Sequence, residues 1–374
     1  MTNPAREPAG LYVHVPFCRR KCRYCDFYSV PRTSGVAEWL DALEREATHY
    51  RDRFASFDTL YLGGGTPSLL APEELVRLVE FLQRNFVICR DAETTLEANP
   101  NDVTSEKLAL FRQLGLNRIS LGVQSMDDRE LAFLGRTHSA RQAARAMEQI
   151  RASGFPGFGV DLIYGLPGQT DTEWERSLRE VLAFTPNHVS CYQLTVGEGT
   201  PLRGMQEAAL FELPDEEVER SLFLTASAIL EEEGFTHYEV SNYARGDSHV
   251  CRHNMKYWER TPYLGLGPSA HSFDGNSRWW NHRSVVQYCR DVNRGKRPVR
   301  GSERLSAEEA DLERLSLQMR TKAGVSIRDL ACREKTDEVL PGLLEAGLLE
   351  VIGETVVPTR EGFLVADRLP LEFL

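Results

Sequence analysis

A chain of 374 residues is long enough for one large domain and a smaller one, and it needs no disulfide to hold its core. With 41% hydrophobic and 26% charged residues it has a globular composition, with neither the polar bias of disorder nor an apolar run able to cross a bilayer. The net charge of -11 opposes nucleic acid and anionic membrane surfaces wherever no basic patch overrides it, and the sequence contains no such patch.

The opening MTNPAREPAG lacks the basic-then-apolar order of a signal peptide, which predicts a cytoplasmic chain that is not an integral membrane protein. In that reducing compartment, clustered cysteines serve metal or redox chemistry more often than disulfides. Six β-branched or aliphatic runs follow: LYVHV (11–15), TLYLGGG (59–65), TTLEANP (94–100), RISLGVQ (118–124), FGVDLIYGL (158–166) and HVSCYQL (188–194). Each predicts a buried strand. Helical periodicity lies between them, as in APEELVRLVEFLQRNF, where Pro72, Glu73 and Glu74 form a first turn suited to the helix dipole.

Alternating strands and helices imply an α/β protein with a parallel sheet and helices outside, either an open doubly wound sheet or an incomplete barrel. In both, ligands gather at the carboxyl ends of the strands. The period breaks near residue 235, which predicts a core over 1–234 and a smaller α+β domain over 235–374. From about 306 the pattern is helix, helix, hairpin, which is winged-helix-like. Residues 324–374 carry five basic and ten acidic side chains, the wrong sign for gripping phosphates, so this module reads as a packing or protein-contact element.

Cys18, Cys22 and Cys25 follow the first strand directly. They could form a buried helical stripe, but Arg19, Arg20, Lys21 and Arg23 crowd the same segment. They could hold structural zinc with His14 or Asp26 as a fourth ligand, but no second paired knuckle exists. Iron–sulfur ligation fits better: a 4Fe-4S cubane takes four ligands, and three thiolates leave one iron open. The basic neighbours would offset cluster charge and lower the thiol pKa values.

The C-x3-C-x2-C spacing after a first strand, with GGGTPS (63–68) ending the second, resembles the radical S-adenosylmethionine (SAM) superfamily over about residues 11–235. The resemblance implies a partial (β/α)6 barrel in which SAM chelates the open iron, and an electron from the cluster cleaves the sulfonium to give a 5'-deoxyadenosyl radical. Alone, the triple glycine is no more than a tight turn, and no Gly-Lys-Ser/Thr makes it a phosphate loop. Glu97, Gln124, Arg136 and Asp161 sit at or just beyond successive strand ends, where each could also be a loop residue or helix cap.

The chain resembles the subgroup that holds oxygen-independent coproporphyrinogen III dehydrogenase and its haem-chaperone paralogue. That resemblance places SAM contacts on Tyr12, Tyr24, Gly64, Gly65, Thr66, Glu97, Gln124, Arg136, Asp161 and Thr195. Glu97 could accept from an ammonium or ribose hydroxyls, Arg136 could pair with a carboxylate, and Asp161 could hold a ribose.

Two departures from the dehydrogenase pattern point to the chaperone. Cys25-Asp26-Phe27 lacks that pattern's additional cysteine, and only ten residues precede the first strand where the dehydrogenase carries a long extension. CRHNMKYW (251–258) resembles the H-N-x-x-Y-W motif of the chaperone subgroup's haem-handling region, and that resemblance implies His253 as the leading haem-iron ligand with Cys251 and His271 behind it. The competing reading is that His253 hydrogen-bonds in an interior filled by Tyr257 and Trp258. The implied cargo is haem, the implied partners are respiratory or haem-storage apoproteins, and a homodimer is left open. The rival expectation is SAM-dependent oxidative decarboxylation of coproporphyrinogen III.

Overall fold

A computed structural model describes residues 7–31 and 34–374. All six expected strands form, as β1 (Ala9–Val15), β2 (Phe57–Gly64), β3 (Ile88–Ala98), β4 (Arg118–Gln124), β5 (Gly157–Tyr164) and β6 (His188–Gln193). Consecutive members pair in parallel, so each connection is a helical crossover and the six strands make the wall of an open barrel. The helix Pro72–Asn85 starts where its sequence predicts: Pro72 occupies the first turn and the Glu74 carboxylate accepts from the Ala71 N–H at 2.8 Å.

Along these strands the side chains alternate between two chemistries. Leu11, Val13 and Val15, Leu60 and Leu62, Ile119, Leu121 and Val123, and Val160 and Leu162 are buried in one continuous apolar cluster with Trp39, Phe81 and Trp174 from the outer helices. The opposite face carries polar residues towards the barrel lumen. A parallel sheet buried on both faces usually reads as unbroken apolar runs, so a polar lumen marks a place that holds something polar.

The boundary expected near residue 235 does not interrupt the sheet. β7 (Thr236–Glu239) and β8 (Asn242–Ala244) extend it antiparallel from β6, while β9 (Tyr263–Leu266) joins the far edge parallel to β1. β10 (His271–Phe273), β11 (Ser277–Asn281) and β12 (Val299–Arg304) continue that edge to complete a sheet of 12 strands. Leu264, Leu266, Trp279 and Tyr288 belong to the same apolar cluster as the barrel strands, so residues 235–304 cover both edges of the barrel.

The part with a core of its own begins near residue 306. Helices Ala307–Gln318, Ile327–Ala331 and Thr336–Glu345 pack on a small sheet in which β15 (Thr355–Pro358) lies between β13 (Val325–Ser326) and β14 (Leu349–Ile352). Leu315, Met319, Leu330, Leu349 and Val356 form a separate cluster there, as the winged-helix-like reading expects. Among the described residues no helix is long and apolar enough to cross a membrane.

A separate core implies separate local stability. Leu330, 0% exposed, lies at its centre, and Leu330→Ala should cost about 2–5 kcal/mol. Hydrogen exchange followed by mass spectrometry should show protection lost across 307–374 and retained in β1–β6; uniform loss would show that the two cores unfold together.

Candidate cofactor site

The lumen opens into a cavity of about 410 Å³ at the carboxyl ends of the strands. Alternate residues of the wall face it: Thr95 and Glu97 on β3 with Asn99 just beyond its end, Arg118, Ser120, Gly122 and Gln124 along β4, Asp161 and Ile163 on β5, and Ser190 and Tyr192 on β6. The segment after β1 supplies Cys18, Cys22, Tyr24 and Cys25, and the end of β2 supplies Gly64, Gly65 and Thr66. Of the expected SAM contacts, Tyr24, Gly64, Gly65, Thr66, Glu97, Gln124, Arg136, Asp161 and Thr195 line this one cavity, Thr195 as an exposed residue. Tyr12 does not. It lines a second cavity, with its hydroxyl 3.1 Å from His14 Nδ1.

The cysteine segment is fastened to the strand ends by backbone bonds. The Gly65 N–H donates to Val15 O and the Thr66 N–H to Phe17 O, both at 2.8 Å, while Val30 N and Cys18 N close the loop's neck onto Pro16 O and Val30 O. A Cβ on Gly65 would lie 2.5 Å from Phe17 O and 2.8 Å from Val15 O, so only glycine permits this approach. The glycine run therefore seats the cysteine loop as well as bordering the cavity.

Two of the four basic residues between the cysteines, Arg19 and Arg23, are anchors. Arg19 donates to Asp102 at 2.8 Å, a carboxylate whose side chain is 1% exposed and which also accepts from Ser68. Arg23 donates to Phe133 O at 3.1 Å, and its own carbonyl accepts from Leu202 N at 2.9 Å. Tyr24 packs on an apolar cluster of Leu134, Ile163, Leu194 and Leu202. The expected lowering of thiol pKa does not prevail: burial raises Cys18 and pushes Cys25 up to about 11, and the opposing pull of Lys21 is weaker.

Charge at the strand ends is held by buried partners. Glu97 accepts from Tyr61 Oη and from the Gly64 N–H, each at 3.0 Å, and burial followed by repulsion from Asp161 raises its carboxyl to about 7. Asp161 accepts from Ser120 Oγ at 3.0 Å and is likewise raised by burial. Arg136 donates to Gly122 O at 2.7 Å and contacts Cys22 Sγ at 3.4 Å, while its Nε is buried with no partner among the described residues. Gln124 ends β4 with φ 70°, left-handed for a residue other than glycine, and is 9% exposed.

His253 lies beneath this layer and is 1% exposed. Its Nδ1 meets Thr59 Oγ1 at 2.8 Å and its Nε2 meets Tyr257 Oη at 3.0 Å, and its ring stacks on Tyr61 at 5.1 Å. Burial lowers its pKa to about 3, so the ring is neutral. With both nitrogens engaged, the His253 imidazole joins the helix Arg252–Trp258 to β2, the interior role that the competing reading of the sequence gave it. Cys251 is 2% exposed and its thiol is pushed up to about 12 by burial. Of the three ligand candidates only His271 has an exposed side chain.

Sequence reasoning named the strand ends and missed Tyr61, Arg118, Ser120, Ser190 and Tyr192, which line the same cavity further down. The signal was present as period-2 alternation: Arg118, Ser120, Gly122 and Gln124 interleave with Ile119, Leu121 and Val123.

The donor set fits an iron–sulfur cluster that leaves one corner to an amino-acid group. Among the described residues no three His, Cys, Asp or Glu side chains converge on a single ion. The three thiols instead border a volume, as thiolates bound to separate irons of one cluster must. The unpartnered Arg136 Nε beside Cys22 suits a carboxylate held next to the cluster.

The comparisons agree with this fit. The radical SAM superfamily model matches residues 12–181. The chain is 38% identical to the heme chaperone HemW of Mycobacterium tuberculosis, covering 97% of this chain and 94% of that protein. It is 33% identical to HemW of Bacillus subtilis, covering 98% and 99%. The coproporphyrinogen III oxidase HemN of Escherichia coli, a radical SAM enzyme, superposes with a TM-score of 0.84 over 99% of this chain and 90% of that one at 23% identity, a likeness of fold. A barrel of this kind with a three-thiol loop defines a radical SAM protein, and membership of that superfamily implies a 4Fe-4S cluster and SAM. Within it, the chain belongs to the HemW family.

Two outcomes test the site. Arg136→Ala should weaken SAM binding about 10- to 100-fold, the worth of a charge-assisted pair, in anaerobically reconstituted protein by equilibrium dialysis. An unchanged dissociation constant at equal iron content would remove Arg136 from the carboxylate. The second outcome concerns Glu97, whose folded pKa of about 7 exceeds the unfolded value of about 4.3. Its carboxyl therefore binds more protons folded than unfolded between those values. Stability falls as pH rises through this window and stays reduced above it. Glu97→Gln removes that loss, so its melting temperature relative to the parent should rise from about pH 5 to about pH 8 in the cofactor-free protein. A constant difference would show that Glu97 titrates normally.

Proposed function

We propose that this chain is a haem chaperone: it binds a SAM-coordinated 4Fe-4S cluster and haem, and transfers the haem to respiratory or haem-storage apoproteins in the cytoplasm. The observation that carries the reading is near-full-length identity, 38% and 33%, to two bacterial proteins named heme chaperone HemW. Asp26 gives further support, since it follows Cys25 where the dehydrogenase pattern carries an additional cysteine nearby.

In this reading Cys18, Cys22 and Cys25 hold the cluster, and the loop that carries them is rigid because its neck and its arginines are bonded to four different strand ends or helices. Arg136 holds the SAM carboxylate. Glu97, Gln124, Asp161 and the Gly64–Thr66 turn shape the polar wall on which the rest of that molecule lies. When bound, the cluster and SAM supply one-electron reduction of a sulfonium. The protein orients the pair and keeps bulk water from the buried side of Cys18, which is 6% exposed.

The fold shared with HemN keeps oxidative decarboxylation of coproporphyrinogen III as the second reading. Anaerobically reconstituted protein separates the two. Haem titration should give a saturable Soret band, and incubation with haem-free acceptor should move that haem off the chain. Incubation with SAM, reductant and coproporphyrinogen III should yield no protoporphyrinogen. Tetrapyrrole decarboxylation without saturable haem binding would sink the chaperone assignment.

A further inference from the structure

The second cavity, about 580 Å³, lies on the same face of the sheet as the lumen and outside the β1 wall. Two of its lining residues, Tyr12 and His271, belong to a row of positions running across the strands. Tyr61 on β2 pairs with Tyr12 on β1, Tyr12 pairs with Gly265 on β9, and on the outer side His271 of β10 pairs with Trp280 of β11. The row is joined in the middle because Phe273 pairs with Tyr263, which sets His271 beside Gly265 two residues away. Cross-strand partners share a face, so four ring-bearing positions flank one position that has no side chain, and of the four Tyr12 and His271 border this cavity while Tyr61 lines the first.

The missing side chain is required by packing. A Cβ on Gly265 would lie 2.1 Å from His271 O, so the β10 backbone fills the place a side chain would take and only glycine fits between Tyr12 and His271. The His271 ring stacks on Trp280 at 5.9 Å and is exposed, with no hydrogen bond from its nitrogens to another described residue. His14, the other imidazole bordering the cavity, spends both nitrogens on Tyr12 Oη and Tyr28 O. Burial, then Arg278, lowers the His271 pKa, which keeps a lone pair available near neutrality.

A cavity walled by Tyr12, Phe27, Tyr28, Tyr257 and Tyr263, within the ordinary size range for small-molecule sites and with the unpartnered His271 imidazole at its side, suits a planar metallated ring. Exposed Arg283 borders the same cavity and donates to Asp26 O at 2.5 Å, so a guanidinium is already held at the rim. Asp26 and Glu198 also border it, so anionic substituents have one favourable direction, towards Arg283.

We infer that this cavity is the haem site, with His271 the axial ligand to iron and Arg283 the partner of a propionate. The inference rests on the haem-chaperone reading and moves the iron contact from His253, in the lumen floor, to the sheet extension.

The test uses full-length reconstituted protein titrated with ferric haem. His271→Ala should lower affinity at least about 10-fold and shift the Soret maximum, and added imidazole should restore the parent spectrum, which a merely structural loss would not allow. Arg283→Gln should weaken haem binding several-fold and leave binding of haem dimethyl ester, which lacks free propionates, unchanged. Parent-like affinity and spectrum in His271→Ala would overturn the inference, as would loss of the signal in His253→Gln with retention in His271→Ala. Failure of the parent chain itself to bind haem saturably would instead overturn the chaperone reading.

Discussion

The structure depends most on the backbone seam between the end of β2 and the chain leaving β1. Gly65 and Thr66 donate to Val15 and Phe17, at the moment the chain turns from strand to cysteine loop. Because these are main-chain bonds at van der Waals limits, the loop's starting position is set by strand pairing and owes little to flexible side chains. Everything that follows inherits that position: Cys18 and Cys22 at the cavity, Arg19 reaching to Asp102, Arg23 reaching to the end of the helix after β4. Iron–sulfur ligation tolerates little misplacement, so the scaffold fixes the loop from several directions.

The polar lumen is the second consequence of the same architecture. Closing six strands into a barrel gives each a helix-facing side and an inner side, and the inner side here carries Glu97, Arg118, Ser120 and Asp161. Desolvation raises both carboxyls, and each is compensated by a hydroxyl or N–H donor rather than by direct ion pairing. Such a lining is costly without a ligand and favourable with a cationic or hydroxyl-rich one.

Much of this was legible in the sequence. The strands were marked by apolar runs ended by glycine, proline or polar residues, and β4 was read to its boundaries because Arg118 and Gln124 bracket a clean alternation. The cysteine spacing identified the loop and the polar strand ends identified most of the cavity wall. Other features depend on contacts between distant parts of the chain. His253 reads as a ligand in an aromatic motif, but Thr59, nearly two hundred residues earlier, occupies one of its nitrogens. The break in period near residue 235 reads as a domain boundary, but β7–β8 and β9 return to opposite edges of one sheet, a pairing that no local pattern encodes.

Asp26 and Phe27 follow the third cysteine directly and contribute to the walls of both cavities. Phe27 is 63% exposed, an unusual place for a phenyl ring that has cavities on either side of it. A shared partition is a route for coupling: where guests on both sides prefer different settings of this dipeptide, each would change the other's affinity by the same factor. Loading and unloading on one side of the partition would then be readable from the other without any larger movement of the chain.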